Sequence, residues 1–309
     1  MMLSLRLVLV GLVVAGGACR SDGGADGTTS GSTSVSRGRT PDPDFAVVAD
    51  EYRFDMPVEV PGGVVTISFE NRGQLRHEAG IVAAGATPVD QVLKDLAPVL
   101  EGRGTPIPDY LTFYGGVGET GPGETSASTL SLPEGTFVMF CSLTDIDSMD
   151  ALPRPGPQLP AHYSTGMTRP FTVRRANVDT LPAGDGTVLA TDYAFAVPPL
   201  TAGRKTLLFR NAGTQMHFGA FLAYPEGVDE AGARQALDTV LAAPGGPRPE
   251  DVPEPRDAAS AGPFPPGAGG TFEIDLEGGR TYAVVCFLPD RAGGPPHAAK
   301  GMLAVFAVP

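Results

Sequence analysis

The sequence predicts an all-β protein built from two tandem Greek-key β-sandwich domains, each with a short helical insertion. Its 41 glycines and 31 prolines among 309 residues favour many turns and short strands over long helices. Its landmarks also recur: Asn211 lies 140 residues after Asn71, and His217 lies 140 residues after His77. Paired landmarks at a constant offset indicate an internal duplication. The chain therefore divides into two similar halves.

Residues 1–19 are predicted to be an export signal. Arg6 supplies a positive charge, residues 7–15 form an apolar run too short to span a membrane, and small residues precede Cys19. This arrangement resembles the lipoprotein box of exported bacterial proteins, although Gly16 stands where that box usually carries Leu. The resemblance implies that Cys19 is lipidated and anchors the protein to a membrane. An ordinary secretory signal is the alternative.

Residues 20–44 are predicted to be a flexible tether. The segment is rich in Gly, Ser, Thr and Asp and has almost no large apolar side chains, so it cannot build a core. A tether that follows a lipid anchor predicts a folded body at the cell surface or on the periplasmic side of a membrane. A secreted form is the alternative.

Each half contains short runs with strand character and one helical run. We expect domain 1 over residues 45–176 and domain 2 over residues 186–309. Helical spacing of apolar residues predicts one helix near Val89–Leu96 and another near Ala231–Leu241. Runs of apolar or β-branched residues bounded by Gly and Pro predict strands. These runs are Val64–Phe69, Thr136–Cys141, Pro170–Arg174, Lys205–Phe209, Thr271–Leu276, Tyr282–Phe287 and Leu303–Val308.

All four histidines of the chain fall into two matching sets, each with one cysteine and one methionine. In each set a histidine comes first, a cysteine follows near the end of a predicted strand, and a second histidine precedes the methionine. The candidate metal ligands are His77, Cys141, His162 and Met167 in the first half, and His217, Cys286, His297 and Met302 in the second. Two imidazoles, a thiolate and a weak thioether are the ligands of a blue-copper electron-transfer site.

The sequence around these residues resembles the cupredoxin family, the plastocyanin-like blue-copper proteins. Each set opens with Asn-x-Gly-x-x-x-His, from Asn71 and Asn211, and closes with His-x-x-x-Gly-Met, from His162 and His297. The resemblance covers most of both halves and implies a β-sandwich with a mononuclear copper centre in each. For an exported protein it implies electron transfer or copper holding at the outer face of a membrane, with a redox partner protein that the sequence does not identify.

The two sets differ in the loop between the cysteine and the second histidine. Ten residues separate Cys286 from His297, and twenty separate Cys141 from His162. Small cupredoxins usually have only a few residues in this loop. Because a longer loop adds little to the entropy of closure, chelation stays possible in both halves. We expect a compact second site and a looser first one.

Three other interpretations remain open. Export would allow Cys141 and Cys286 to form a disulfide. A cupredoxin-like domain without metal would be a binding or adhesion module, because a fold does not determine a function. A multicopper oxidase-type enzyme needs more histidines, often as His-x-His pairs, and this chain has four histidines and no such pair. We therefore expect no enzymatic activity.

The remaining features do not point to other chemistry. Three aspartates, Asp145, Asp147 and Asp150, do not complete a calcium-loop pattern and are interpreted as a solvated loop. The glycine-rich stretch 115–118 is interpreted as a turn. The net charge of −13 argues against nucleic acid as a partner, because a phosphate backbone attracts clustered Lys and Arg.

Overall fold

The structure is a computed structural model in which residues 42–101, 104–145, 160–176, 180–242 and 249–309 are described. The described part of the chain is mostly β, with two α-helices. The predicted export signal, with Cys19, and nearly all of the predicted tether lie outside the described residues.

The described residues of the first half form eight strands and one helix. They are β1 (Phe45–Asp50), β2 (Arg53–Asp55), β3 (Glu59–Asn71), β4 (His77–Ala83), α1 (Val89–Leu100), β5 (Thr112–Thr120), β6 (Thr125–Leu132), β7 (Gly135–Phe140) and β8 (Thr168–Ala176). A single turn of 3-10 helix, His162–Thr165, precedes β8.

The second half has the same elements in the same order. They are β9 (Gly186–Thr191), β10 (Ala194–Ala196), β11 (Gly203–Asn211), β12 (His217–Ala223), α2 (Glu230–Ala242), β13 (Arg256–Phe264), β14 (Gly269–Leu276), β15 (Arg280–Val285) and β16 (Leu303–Val308). A 3-10 turn, His297–Lys300, precedes β16. Strands β9 to β16 therefore correspond in order to β1 to β8.

Strand β3 joins two groups of strands in the first half. Its later part, around Ile67, pairs in parallel with β1 and antiparallel with β6. Its first residues pair in parallel with β8, and β8, β7, β4 and β5 then pair antiparallel in that order. Apolar side chains from both groups, among them Ile67, Ile81 and Phe137, are buried in one cluster. The same cluster includes the candidate ligands Cys141 and Met167.

The strands of the second half pair in a similar way. Strand β11 pairs with β14 and, at Asn211, with β9, while β13, β12, β15 and β16 form a four-stranded antiparallel sheet. Phe209, Phe221 and Tyr282 from these strands are buried in the same apolar cluster as the first-half residues. The apolar core therefore runs through both halves.

The two halves are joined edge to edge through β6 and β14. Leu130 pairs with Gly270, the Thr129 N–H donates to Thr271 Oγ1 at 2.9 Å, and the Ser128 hydroxyl donates to the Thr271 carbonyl at 2.8 Å. Through this contact, strands of both halves belong to one 12-stranded hydrogen-bonded network. Two tandem Greek-key sandwiches with the boundaries given above remain a prediction.

Glycines allow β5 to approach its neighbours closely. The interpretation of residues 115–118 as a turn is wrong, because they lie within β5. A Cβ on Gly116 would lie 1.8 Å from the Ala79 carbonyl oxygen, and a Cβ on Gly115 would lie 2.5 Å from the Phe264 ring. Glycine therefore lets β5 contact β4 within its own half and β13 of the other half.

The segments that the sequence predicts as strands and helices contain strands and helices in the structure. Each predicted strand run overlaps an observed strand, and both predicted helices form. Helix α1 buries Val92, Leu96 and Val99, which share one face at helical spacing. The structure adds strands that the pattern did not predict, including β4 and β12, and each of these begins at the first histidine of a set. Neither helix of the described residues is long and apolar enough to cross a membrane.

Candidate metal centres

The first cluster consists of His77, Cys141 and His162, all of them fully buried. The Nδ1 atoms of the two histidines lie 3.2 Å apart. The Cys141 Sγ lies 3.4 Å from His162 Nδ1 and 4.0 Å from His77 Nδ1. Three potential ligand atoms therefore converge on one point in the interior.

The second cluster consists of His217, Cys286 and His297, which are also fully buried. Its two Nδ1 atoms lie 3.3 Å apart, and the Cys286 Sγ lies 3.5 Å from His297 Nδ1. In each cluster the candidate ligand atoms all lie within 4.8 Å of one another. The structure thus brings together the histidines and cysteine that the sequence assigned to each set.

The predicted methionines lie beside the cysteines. The Cys141 N–H donates to the Met167 carbonyl at 3.3 Å, and the Cys286 N–H donates to the Met302 carbonyl at 3.2 Å. Both methionines are fully buried. Each directly follows a glycine in the left-handed region, Gly166 (φ 116°) or the corresponding residue of the second half, which ends the 3-10 turn. This explains the glycine in the His-x-x-x-Gly-Met pattern.

The longer loop does not separate the ligands of the first cluster. The His162 N–H donates to the Leu143 carbonyl at 2.8 Å, and the His297 N–H donates to the Leu288 carbonyl at 2.8 Å. Both loops are therefore closed by the same backbone bond next to the second histidine. The expected difference in compactness is absent from the distances between ligand atoms.

An asparagine clamps the loop that leads to the first histidine. The Asn71 side chain donates to the Leu75 and Thr120 carbonyls, both at 2.8 Å, and accepts from the Gly73 N–H at 2.9 Å. Asn211 makes the same three bonds in the second half, to Gln215, Phe264 and Gly213. The buried amide thus fixes both ends of the turn, which explains why the Asn stands six residues before each histidine.

The glycine of this motif leaves room for the imidazole. A Cβ on Gly213 would lie 2.6 Å from His217 Nε2 and 2.4 Å from Asp192 Oδ1. A Cβ on Gly73 would lie 3.1 Å from His77 Nε2. The backbone therefore passes over the outer edge of each ring, which holds the ring facing inward.

Carboxylates hold the outer nitrogen of three of the four histidines. His162 Nε2 lies 3.1 Å from Asp145 Oδ1, and His297 Nε2 lies 3.1 Å from Asp290 Oδ1. His217 Nε2 lies 2.9 Å from Asp192 Oδ1. An Nε2–H that donates to a carboxylate leaves the lone pair of Nδ1 directed into the cluster, which is the arrangement found around metal-binding histidines.

His77 lacks this support. Among the described residues, its buried Nε2 atom has no hydrogen-bond partner. Glu51 stands where the second half has Asp192, and both carboxylates accept from backbone N–H groups of the following turn. Asp192 also faces its histidine, whereas Glu51 does not bond His77 Nε2. The two clusters therefore share their ligand geometry but differ in how the first histidine is oriented.

A tyrosine completes each arrangement around the second histidine. The Tyr52 hydroxyl donates to Asp145 at 2.9 Å, and the Tyr193 hydroxyl donates to Asp290 at 3.0 Å. Each ring also packs edge-on against the second histidine of its cluster, with centroids 5.3 Å apart. Both tyrosines have left-handed backbones, with φ of 58° and 65°, which is uncommon outside glycine.

These supporting residues are not predicted by the sequence patterns described above. Asp145 lies in a loop and its side chain is 41% exposed, but it also contacts His162 and Tyr52. Asp147 and Asp150 lie outside the described residues. A signal was present in the sequence, because an aspartate follows each cysteine at the same spacing, at Asp145 and Asp290.

Burial shifts the pKa values of the ligands toward their neutral forms. Burial, and then the neighbouring imidazole, lowers the pKa of His77 and of His297 to about 4. Burial also raises the pKa of Cys286 to about 11. It raises the pKa of Cys141 well above its usual range, and the nearby Glu78 carboxylate adds to this. Without a bound cation, the thiols are protonated at neutral pH.

These clusters fit a soft or borderline metal ion. In the second cluster both Nε2 atoms face carboxylates, so two Nδ1 lone pairs meet across 3.3 Å. Two lone pairs at that distance repel unless a proton or a cation lies between them. A metal ion would satisfy both nitrogens and convert the buried Cys286 thiol to a thiolate. The donor set of two imidazoles and a thiolate, with a methionine beside them, suits copper.

The cysteines are not linked to each other. Cys141 and Cys286 are both free and buried, each in its own cluster. The alternative of a disulfide between them is therefore wrong, because the fold directs each thiol toward the histidines of its own half.

Comparison with known proteins gives matches among solved structures only. No family model and no curated protein matches the chain. A dithionite-reduced auracyanin from Roseiflexus castenholzii is 26% identical over 41% of this chain and 94% of its own, with a TM-score of 0.28. Auracyanin B is 21% identical over 43% and 91%, with a TM-score of 0.28. An azurin from Methylomonas sp. strain J is 19% identical over 43% and 95%, with a TM-score of 0.24. With TM-scores this low, the matches carry no conclusion about this chain.

Proposed function

We propose that the protein is an exported copper protein with two type 1 copper sites, which carries electrons or holds copper at the outer face of a membrane. The first site uses His77, Cys141, His162 and Met167, and the second uses His217, Cys286, His297 and Met302. Each half is a cupredoxin-like domain. Copper bound there would accept and release one electron.

One observation carries this proposal. Two buried imidazole Nδ1 atoms and a buried cysteine Sγ lie within 4.8 Å of one another, and the arrangement occurs twice. A single buried histidine or cysteine is ordinary packing, but two equivalent groups with the same donors are poorly explained without a metal. Buried polar atoms are normally satisfied, and the facing nitrogens need a cation or a proton.

The residues around each cluster supply what an electron carrier needs. Carboxylates hold the imidazole rings of His162, His217 and His297, and the asparagine side chains fix the loops that lead to the first histidines. The apolar core excludes water, since all eight proposed ligands are fully buried. Ligands that are held rigidly in this way change position little when the charge of the site changes.

The location is proposed on sequence grounds. Lipidation of Cys19 and a tether over residues 20–44 would hold the folded body near a membrane, where it could meet a redox partner protein. We propose a carrier and not an enzyme, because the four histidines of the chain are all assigned to the two clusters. A metal-free binding or adhesion module is the alternative that the following experiment addresses.

Copper titration tests the proposal directly. The chain with Cys19→Ser, produced without lipid, should bind two copper ions and develop an intense thiolate-to-copper band at about 600 nm. Cys141→Ser and Cys286→Ser should each remove one copper ion and part of the band. Removal of both thiols should abolish the band.

A matched control separates ligand loss from general damage. Ser164 is exposed in the 3-10 turn beside His162, so Ser164→Ala should keep both copper ions and the full band. Absence of the band from a folded protein, at any copper ratio, would contradict the proposal and favour the metal-free module.

A further inference from the structure

The surroundings of the two cysteines differ in charge. The Glu78 N–H donates to Cys141 Sγ at 3.5 Å, and the Phe218 N–H donates to Cys286 Sγ at 3.4 Å. Both residues directly follow the first histidine of their cluster, so the backbone contact to sulfur is the same. The side chain at this position is a carboxylate in the first half and a phenyl ring in the second.

The Glu78 carboxylate is fixed beside the first cluster. It accepts from the Ser142 N–H at 3.1 Å and from the Ser142 hydroxyl. Because Ser142 directly follows Cys141, the carboxylate bridges the two chain segments that carry His77 and the thiol. It is therefore held near the sulfur and does not swing freely into solvent.

The corresponding positions of the second cluster are apolar. Phe287 takes the place of Ser142, and it packs against a cluster that includes Leu222 and Val285. Phe218 packs against the main core. No carboxylate can therefore bridge the second cysteine segment to the second histidine strand at this position.

A cation adds to the contrast. Lys300, on the turn that begins at His297, forms an ion pair with Asp290 and lies 5.0 Å from the centroid of the Tyr193 ring. The corresponding residue of the first half is Thr165. Glu51 and Asp192 match in charge, as do Asp145 and Asp290. Glu78 and Lys300 therefore have no charged counterpart in the other half, where Phe218 and Thr165 occupy the equivalent positions.

This difference acts on the charge of a copper–thiolate unit. The unit is positive with oxidised copper and neutral with reduced copper. A nearby carboxylate stabilises the positive form, while apolar surroundings and a nearby ammonium group favour the neutral form. The environment around the cysteine sulfur is known to tune the potential of such sites.

We infer that the two centres have unequal reduction potentials, with the second centre higher and Glu78 as a residue that lowers the first. The inference rests on the proposed function, because it needs copper in both clusters. When the chain takes one electron from a reductant, that electron resides mainly on the second centre. We expect an equilibrium ratio on the order of tenfold in favour of the second centre.

Single-centre variants of the full chain provide the measurement. Cys286→Ser leaves copper only in the first cluster, and Cys141→Ser leaves it only in the second. Reductive titration of each, followed by its visible band, should give a higher potential for the second centre. Glu78→Gln should raise the potential of the first centre, and Lys300→Thr should lower that of the second.

Two further variants complete the design. Phe218→Glu should lower the potential of the second centre, so that Glu78→Phe combined with Phe218→Glu narrows or reverses the order. Glu273→Gln serves as the control, because Glu273 forms a surface ion pair with Arg204 on β11 and β14. This control should change neither potential.

The outcomes separate this inference from the proposed function. If either single-centre variant fails to show a copper–thiolate band, the two-centre function fails, and this inference fails with it. If both bands form but the potentials are equal or reversed, the inference is overturned while the proposed function stands. If Glu78→Gln leaves the potential of the first centre unchanged, the role of Glu78 is overturned. Lys300→Thr then tests independently whether Lys300 raises the potential of the second centre.

Discussion

The two clusters have the same ligand distances but different support for the first histidine. His217 Nε2 faces Asp192 at 2.9 Å, whereas the buried His77 Nε2 has no partner among the described residues. Glu51 and Asp192 both accept from the backbone N–H groups of the following turn, but of the two only Asp192 also lies within hydrogen-bond distance of its histidine. Repeated ligands therefore do not imply repeated support, and we expect the second cluster to be the better organised metal site.

The largest expected effect is the loss of stability of the metal-free protein in acid, to which the histidines of the two clusters should contribute unequally. The pKa of His77 and of His297 is about 4 in the folded chain, against about 6.5 for an unperturbed histidine. Between these values the unfolded chain binds more protons than the folded chain, so stability falls as pH falls. A drop from pH 7 to pH 5 should cost roughly 3 kcal/mol in the free energy of unfolding.

Urea unfolding at several pH values measures this effect. His77→Gln should reduce the pH dependence of the free energy of unfolding more than His217→Gln does. The reason is that the hydrogen bond to Asp192 opposes the lowering of the His217 pKa. An equal effect of the two substitutions would remove the proposed contrast between the clusters.

Removal of the supporting carboxylate should weaken metal binding in the second cluster. Asp192→Ala leaves His217 Nε2 without its partner, and loss of such a partner typically lowers metal affinity by about 10–100-fold. Glu51→Ala, the matched change in the first half, should alter affinity by less than about threefold, because Glu51 does not bond His77 Nε2.

Competition with a copper chelator, followed by the visible band of each single-centre variant, provides the affinities. Equal losses of copper affinity in Asp192→Ala and Glu51→Ala would contradict the proposed difference between the two clusters.

A methyl group on the motif glycine should also affect the halves unequally. In Gly213→Ala the new Cβ would meet Asp192 and His217 at 2.4 and 2.6 Å. In Gly73→Ala the closest atom, at 2.5 Å, is at the end of the flexible Glu51 side chain. We expect Gly213→Ala to cost about 1–3 kcal/mol in thermal or urea unfolding and Gly73→Ala to cost less.

The smallest expected effect concerns the tyrosines. Tyr52→Phe and Tyr193→Phe each remove a hydroxyl that donates to an aspartate, at a cost of about 1 kcal/mol. Tyr193→Phe should cost slightly more, because Gln215 also donates to the Tyr193 hydroxyl at 2.8 Å. Unfolding free energies of the two variants would test this order, and a larger cost for Tyr52→Phe would contradict it.

The candidate ligands could be predicted from the sequence because few residues compete for the role. With four histidines in the chain and a repeated spacing, His77, His162, His217 and His297 could be paired with their cysteines without any structure. The strands can also be predicted from the sequence, since runs of β-branched and apolar residues are bounded by Gly and Pro. These patterns involve residues that are close together in the chain, so they can be recognised in a single sequence.

The supporting contacts could not be predicted in the same way. Asp192 lies 25 residues before His217, and the contact depends on a left-handed Tyr193 that redirects the chain. Strand β5 is not evident from the sequence, because its glycines resemble those of a turn, although the close approach of β5 to its neighbours requires them. The junction of β6 with β14 depends on partners 140 residues apart, Leu130 and Gly270.

That junction also has a consequence for solubility. Strands β6 and β14 each present backbone groups to the other at the boundary between the halves. A half produced alone would expose this side of its sheet to other chains, and an exposed strand edge is a template for aggregation. Each half therefore covers a strand edge of the other half.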